Sequence, residues 1–241
     1  MSPPSLPVET RAASGRRAVD VAHAADANDA GRRWIPILEL APRHRAAMHE
    51  HLRNLDLRSR QLRFGAALRD EQIESYIEAI DFDRDEVFGV FGPDLRLVGL
   101  AHLAYFVESP CDAAGDLPPA AHRCAEFGVS VDSCRRGRGI GARLLDHAVL
   151  HARNRGATAL VIHALAENAA MLRIARAAGA ELRFDGCDAT GSLALPPPDL
   201  ASHVEAIVQR QLAEFDCLLK VEARRLHAWL AAIATAAAAA D

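Results

Sequence analysis

From residue 34 onward, the chain switches between two spacings of apolar residues, and the switches mark out its elements. WIPILEL (34–40) reads as a first strand, and PRHRAAMHEHLRNL (42–55) carries its apolar positions at helical intervals. RDEQIESYIEAI (69–80) predicts a second helix with Asp70 as an acid in its first turn. EVFGVFG (86–92) and RLVGLAHLAYF (96–106) flank Gly92-Pro93-Asp94, which predicts two antiparallel strands around a turn. VESPCDAAGDLPPAAHR (107–123) reads as a long loop, long enough to serve as a lid or an acceptor wall. CAEFGVSV (124–131) is the next strand, followed by a glycine cluster and a helix from Gly139 to Asn154 that stops near Gly156. ATALVIHAL (157–165) predicts a strand, ENAAMLRIARAAG (167–179) a helix, and AELRF (180–184) with GSLALP (191–196) a closing hairpin ended by three prolines. Antiparallel strands followed by βαβαβ predict an α/β sandwich with helices on a mixed sheet.

The flanks differ from this centre. Residues 1–33 are rich in Ala, Arg, Ser and Pro with few large apolar side chains, so they are expected to form a disordered tail. Glu9, Asp20, Asp26 and Asp29 argue against an organellar transit peptide. Residues 34–198 form the expected domain, and residues 199–241 a helical extension. Val204, Val208, Leu212, Phe215, Leu219, Leu226, Leu230 and Ile233 give that extension one apolar stripe. The stripe is expected to pack back on the domain; a homodimer contact or a partner surface is the other reading. ATAAAAAD (234–241) reads as a frayed end.

Composition narrows the function. A net charge of -4, with Lys220 the one lysine, does not call for nucleic acid. No run of about twenty apolar residues predicts a membrane span. Cys111, Cys124, Cys134, Cys187 and Cys217 are odd in number and form no C-x-x-C pair, which argues against a disulfide framework or structural zinc and suits a reducing cytoplasm. His147 and His151 lie one helical turn apart without a third ligand nearby, so they are read as surface or packing groups, with no metal expected. His44, His49 and His51 read as a polar helix face.

The chemistry concentrates in EFGVSVDSCRRGRGIGARLLDHA (126–148). Gly137, Gly139 and Gly141 leave main-chain N–H groups unobstructed at a helix start, where the helix dipole favours an anion. Arg135, Arg136, Arg138 and Arg143 can add charge-assisted hydrogen bonds to a pyrophosphate and a further phosphate. Gly137 to Ala142 also satisfies G-x-G-x-x-G/A, but the context fails a dinucleotide fold. Asp132 to Arg136 separate the strand from the first glycine, and the next strand ends VIHAL without an acid.

VDSCRRGRGIGARLL resembles the acyl-coenzyme A signature R/Q-x-x-G-x-G/A of the GCN5-related N-acetyltransferases, with Arg136, Gly139 and Gly141 in register. LAENAAMLRIARAAGA is similar to the family's second half-motif through Asn168, Met171 and Gly179. RSRQLRFGA and CAEFGVSVD resemble the branch that includes bacterial protein-lysine acetyltransferases. The resemblance spans residues 34–196. It implies a splayed sheet whose strands at 126–131 and 158–164 diverge around the pantetheine arm of acetyl-CoA. The main chain of Val129 and Val131 is expected to hydrogen-bond that arm, and Arg136, Gly137, Arg138, Gly139, Ile140, Gly141 and Ala142 to take the pyrophosphate. Asn168 is expected near the thioester end or the arm, and Met171 along the channel; capping and plain core packing remain their alternative roles.

Acetyl transfer needs a neutral amine, yet an alkylamine is almost wholly protonated at neutral pH. Glu126 shares a strand face with Gly128 and is the expected general base, its pKa raised by burial. The N–H of Val129 is the expected oxyanion donor. No His or acid sits at a spacing that activates Cys124 or Cys134, so direct attack on the thioester is expected. The tyrosine that many relatives use to protonate the thiolate is replaced by Ala175. The implied function is acetyl-CoA-dependent transfer to a primary amine, either a protein lysine or a small molecule. A non-catalytic acyl-CoA-binding regulator is the alternative.

Overall fold

The computed structural model describes residues 35–108 and 122–238. The expected N-terminal tail and residues 109–121 of the expected loop therefore lie outside the described residues. Within them run β1 (Leu38–Leu40), α1 (Arg45–Arg53), α2 (Leu57–Phe64), α3 (Asp70–Glu78), β2 (Glu86–Phe91), β3 (Leu97–Glu108) and β4 (His122–Val131). Next come α4 (Ile140–Asn154), β5 (Ala159–Leu165), α5 (Ala169–Ala177), β6 (Glu181–Asp185), β7 (Asp188–Ala194) and α6 (Leu200–Ala238). The segment read as a loop from Val107 gives its first and last residues to strands, because β3 and β4 pair from Gly99↔Val131 out to Glu108↔His122.

One seven-stranded sheet, ordered β1-β2-β3-β4-β5-β7-β6, organises the fold. Every neighbouring pair is antiparallel except β4 with β5. Strand alternation sends Ala101, Leu103, Tyr105, Ala125 and Phe127 to one face, where Ile140, Leu144, Leu145 and Ala148 of α4 cover them. Val87 and Leu100 face the other way, onto Met48 and Leu52 of α1 and Ile73 and Ile77 of α3. Ile73, Ile77 and Met48 are fully buried, so cutting one back to alanine would cost about 2–5 kcal/mol.

Helix α2 was not legible as an element, although its ends are well made. Asp56 caps it by accepting from the Ser59 N–H at 2.7 Å, and Gly65 closes it at φ 75°. Helix α6 corrects a second expectation. Its polar side meets the domain: Gln209 bonds His147 at 2.8 Å, Lys220 donates to the Phe91 carbonyl at 3.0 Å, Arg210 pairs with Glu39, and Ala213 is buried. The apolar stripe points outward, with Phe215 62 % and Leu219 56 % exposed.

Candidate functional site: the gap between two diverging strands

Strands β4 and β5 pair only through Cys124↔Ala159, Ala125↔Leu160 and Glu126↔Val161, then separate. Hydrogen-bonding groups alternate sides along a strand. The Asp132 N–H reaches Val98 on the β3 side, while the Arg123 carbonyl accepts from Thr158 on the β5 side, both in the flanks of β4. The main-chain groups of Phe127, Val129 and Val131 therefore point into the gap. This is the direction in which an extended arm could add as a strand.

The loop after β4 closes one end of the gap. Gly137 (φ 74°) and Gly139 (φ 81°) adopt the left-handed conformation that glycine alone takes at low cost. Gly139 is the N-cap of α4 and has no side chain to satisfy the helix start; the first ladder bond runs from the Arg143 N–H to its carbonyl. The N–H groups of Ile140, Gly141 and Ala142 thus have no partner inside the helix, and the dipole places positive potential there. Gly137, Arg138 and Gly139 are exposed. Arg136 braces the loop, with Nε on the Val131 carbonyl at 3.1 Å and Nη2 on Ser59 Oγ at 2.7 Å.

Across the gap, Asn168 caps α5 by accepting from the Met171 N–H at 3.1 Å and donates to the Leu62 carbonyl of α2 at 3.2 Å. Arg58 of α2 also pairs with Glu167 at 2.5 Å. Helix α2 is therefore tied to both lips of the opening. Met171 is 8 % exposed within the α4 core, and Ala175 is fully buried. The tyrosine position of the resemblance thus offers no hydroxyl.

Glu126 stands on the opposite face of β4 from Phe127, next to Gly128, and is exposed; the burial expected of it is absent. Beside it lies a chain of polar groups that sequence reasoning missed. A β-carbon on Gly128 would overlap the Arg63 guanidinium, so the missing side chain is what lets Arg63 lie on the strand. Arg63 Nη2 donates to Tyr76 Oη at 3.0 Å, so the phenol hydrogen goes on to His102 Nδ1 at 2.8 Å. His102 then carries its proton on Nε2 and donates to Asp85 at 3.2 Å. Burial, then the Arg63 charge, holds the imidazole below its ordinary pKa. Burial pushes the Tyr76 phenol up. Burial alone would raise Asp85, but hydrogen bonds from Arg84 and His102 outweigh it and hold the carboxyl low. The signals available were the Asp56 cap, the Gly65 stop and His102 placed opposite Gly128, but only the three-dimensional pairing joins them.

Three other histidines have structural roles. His147 and His151 pack edge-on against Phe88 inside α4, and burial, with His151 alongside, lowers the His147 pKa to about 4. His51 was read as part of a polar face, but it is buried between the Leu97 carbonyl and Ser130 Oγ, each at 2.9 Å. Among the described residues no cluster of three or more His, Cys, Asp or Glu is placed to hold a metal ion. No described helix is long and apolar enough to cross a membrane.

Residues 47–180 match the family model described as Acetyltransferase (GNAT) family. No curated protein matches the chain. The GNAT domain of Streptomyces lividans PAT superposes with a TM-score of 0.53 at 19% identity, covering 66% of this chain and 89% of that one. Arabidopsis thaliana NAA60, solved with a bisubstrate analogue, gives a TM-score of 0.50 at 13% identity over 68% of this chain and 100% of that one. Such likeness at low identity speaks for the fold alone.

Proposed function

This chain belongs to the acetyltransferase (GNAT) family, and from that premise we propose that it transfers acetyl from acetyl-CoA to a primary amine, with Glu126 as general base. The observation that carries the reading is the splay of β4 from β5 beyond Glu126↔Val161, with Val129 outside that ladder on the gap side and helix N–H groups without an intrahelical partner at its end. In this reading Ile140, Gly141 and Ala142 hold the pyrophosphate, assisted by Arg138 and Gly137. Val129 and Val131 hold the pantetheine arm, and Asn168 and Met171 line its far side. The thioester supplies an activated acyl carbon. Glu126 takes the ammonium proton directly or through one water, the amine lone pair attacks the carbonyl carbon, the carbon–sulfur bond breaks, and the second proton lost from the nitrogen passes to the departing thiolate. The Val129 N–H stabilises the charge gathering on the carbonyl oxygen. Thiol release from acetyl-CoA with a panel of amines tests the reading.

Two acceptor classes share this chemistry, a protein lysine and a small amine. The lysine class rests on the sequence resemblance to the protein-lysine branch. The Arg63 guanidinium lying on Gly128 favours the small amine. A cytoplasmic setting, read from an odd cysteine count without a C-x-x-C pair, goes with a coenzyme A substrate.

Helix α6 supports a homodimer in this reading. Val208, Leu212, Phe215, Leu219, Glu222, Leu226, Trp229 and Ile233 follow one another at alternating steps of four and three, the spacing of a two-helix seam. All seven apolar members are 46 % to 62 % exposed. The seam runs about 38 Å along a helix face whose apolar members the domain leaves exposed. A second copy of the same helix offers the matching repeat.

A further inference from the structure

Among the described residues, Arg63 spends one of its N–H groups, on Tyr76, and has no carboxylate within 4.0 Å. Its planar group lies against the Phe64 and Tyr76 rings, with its carbon 4.9 Å and 5.8 Å from their centroids. The Tyr76–His102–Asp85 chain fixes the hydrogen-bonded edge, so the guanidinium is held in place with donors to spare. Glu126, two residues along β4 from Gly128, is likewise exposed and without an ion pair or hydrogen bond among the described residues. A cation and an anion thus stand on one strand face, close enough for both to influence Tyr76 and His102, yet unpaired with each other.

We infer that this pair reads an acceptor that is itself a zwitterion: a free α-amino acid, whose carboxylate docks on Arg63 while its amine meets Glu126. The inference rests on the amine-acetyltransferase reading and names its substrate class. Residues two apart on a strand are about 7 Å apart. An amine and a carboxylate on one carbon, each with a charge-assisted contact of about 2.8 Å, span a similar length. A guanidinium fork grips a carboxylate through two parallel bonds, which would orient the α-carbon and aim the nitrogen toward the gap. A protein lysine brings no carboxylate to that place, so Arg63 would stay unsatisfied when it bound.

The test is thiol release with L-phenylalanine, L-methionine and L-leucine against the amines left by removing each carboxylate, for wild type, Arg63→Met and Gly128→Ala. Gly128→Ala displaces the guanidinium without altering Arg63 itself. Wild type should favour an amino acid over its decarboxylated counterpart by at least about 100-fold in kcat/KM, through KM, and both variants should bring the ratio to within about 5-fold of one. Equal use of both amines by wild type, or a preference that survives in both variants, overturns the inference while leaving the acetyltransferase reading in place. Silence with all six amines counts against a small-amine acceptor and leaves the protein-lysine class in place. Calorimetry of N-acetyl-L-phenylalanine, N-acetyl-L-methionine and N-acetyl-L-leucine on the coenzyme A-loaded protein then decides the inference. Heat in wild type that is lost in Arg63→Met supports it; no heat in wild type overturns it.

Discussion

The hydroxyl of Tyr76 lies 2.8 Å from Nδ1 of His102 and takes a hydrogen bond from Arg63, which makes the phenol the central link of a chain ending on Asp85. Tyr76→Phe keeps the ring stack and removes the link. It leaves Arg63 and His102 short of a partner, so KM for the acceptor should rise by about 10-fold with kcat little changed, and the protein should lose about 1–3 kcal/mol of stability. Steady-state rates and urea melts on one preparation check both effects.

The anion cradle can be blocked without unfolding the helix that forms it. Gly141→Asp places a carboxylate in the first turn of α4, where it suits the dipole, and its β-carbon meets the flexible end of Ile174 at 3.2 Å and Val131 at 3.9 Å. The melting temperature without ligand should hold to within a few degrees, while the upward shift produced by acetyl-CoA disappears. A full ligand-induced shift in this variant would place the pyrophosphate elsewhere.

His147 sets an acid limit on stability. Its pKa near 4, against an ordinary value of 6.5, means the unfolded chain binds the extra proton first. The stabilising contribution is complete above pH 6.5 and is lost as pH falls toward 4, by up to about 3 kcal/mol. His102 is shifted in the same direction by burial and the Arg63 charge, and it adds to the loss as pH falls below the ordinary imidazole range. Chemical denaturation at pH 7.5, 6 and 5 should show the decline in wild type and a shallower one in His147→Gln.

The outward seam of α6 makes a prediction independent of the catalytic site. Light scattering should give twice the chain mass for wild type and a single chain for Leu219→Asp with Leu226→Asp, since two buried charges on a helix seam are strongly unfavourable. Because the parent domain meets the polar side of α6, the double variant should keep its thermal transition. A monomeric wild type would refute the dimer.

The parts of the fold that obey a local rule were legible in the sequence. Alternation marked β2 to β5, and Gly137 and Gly139 announced a helix start stripped of side chains, because such features are written in consecutive residues. Helix α2 was not, since only Leu57, Leu62 and Phe64 are apolar in it and its hold on the domain comes from partners such as Arg136 and Asn168. Asn168 shows the same limit: its cap role follows from its position, while its bond to Leu62 joins residues 106 apart. The stripe of α6 was visible, but periodicity gives the face and not what the face meets.

The most direct measurement is thiol release by wild type and Glu126→Gln at saturating acetyl-CoA, with cofactor affinity measured on the same samples by calorimetry. The account requires turnover to fall by about 10²-fold or more while affinity stays within about 2-fold. Equal turnover in the two proteins would contradict it, because a carboxylate beside the β4–β5 gap would then have no part in taking the proton.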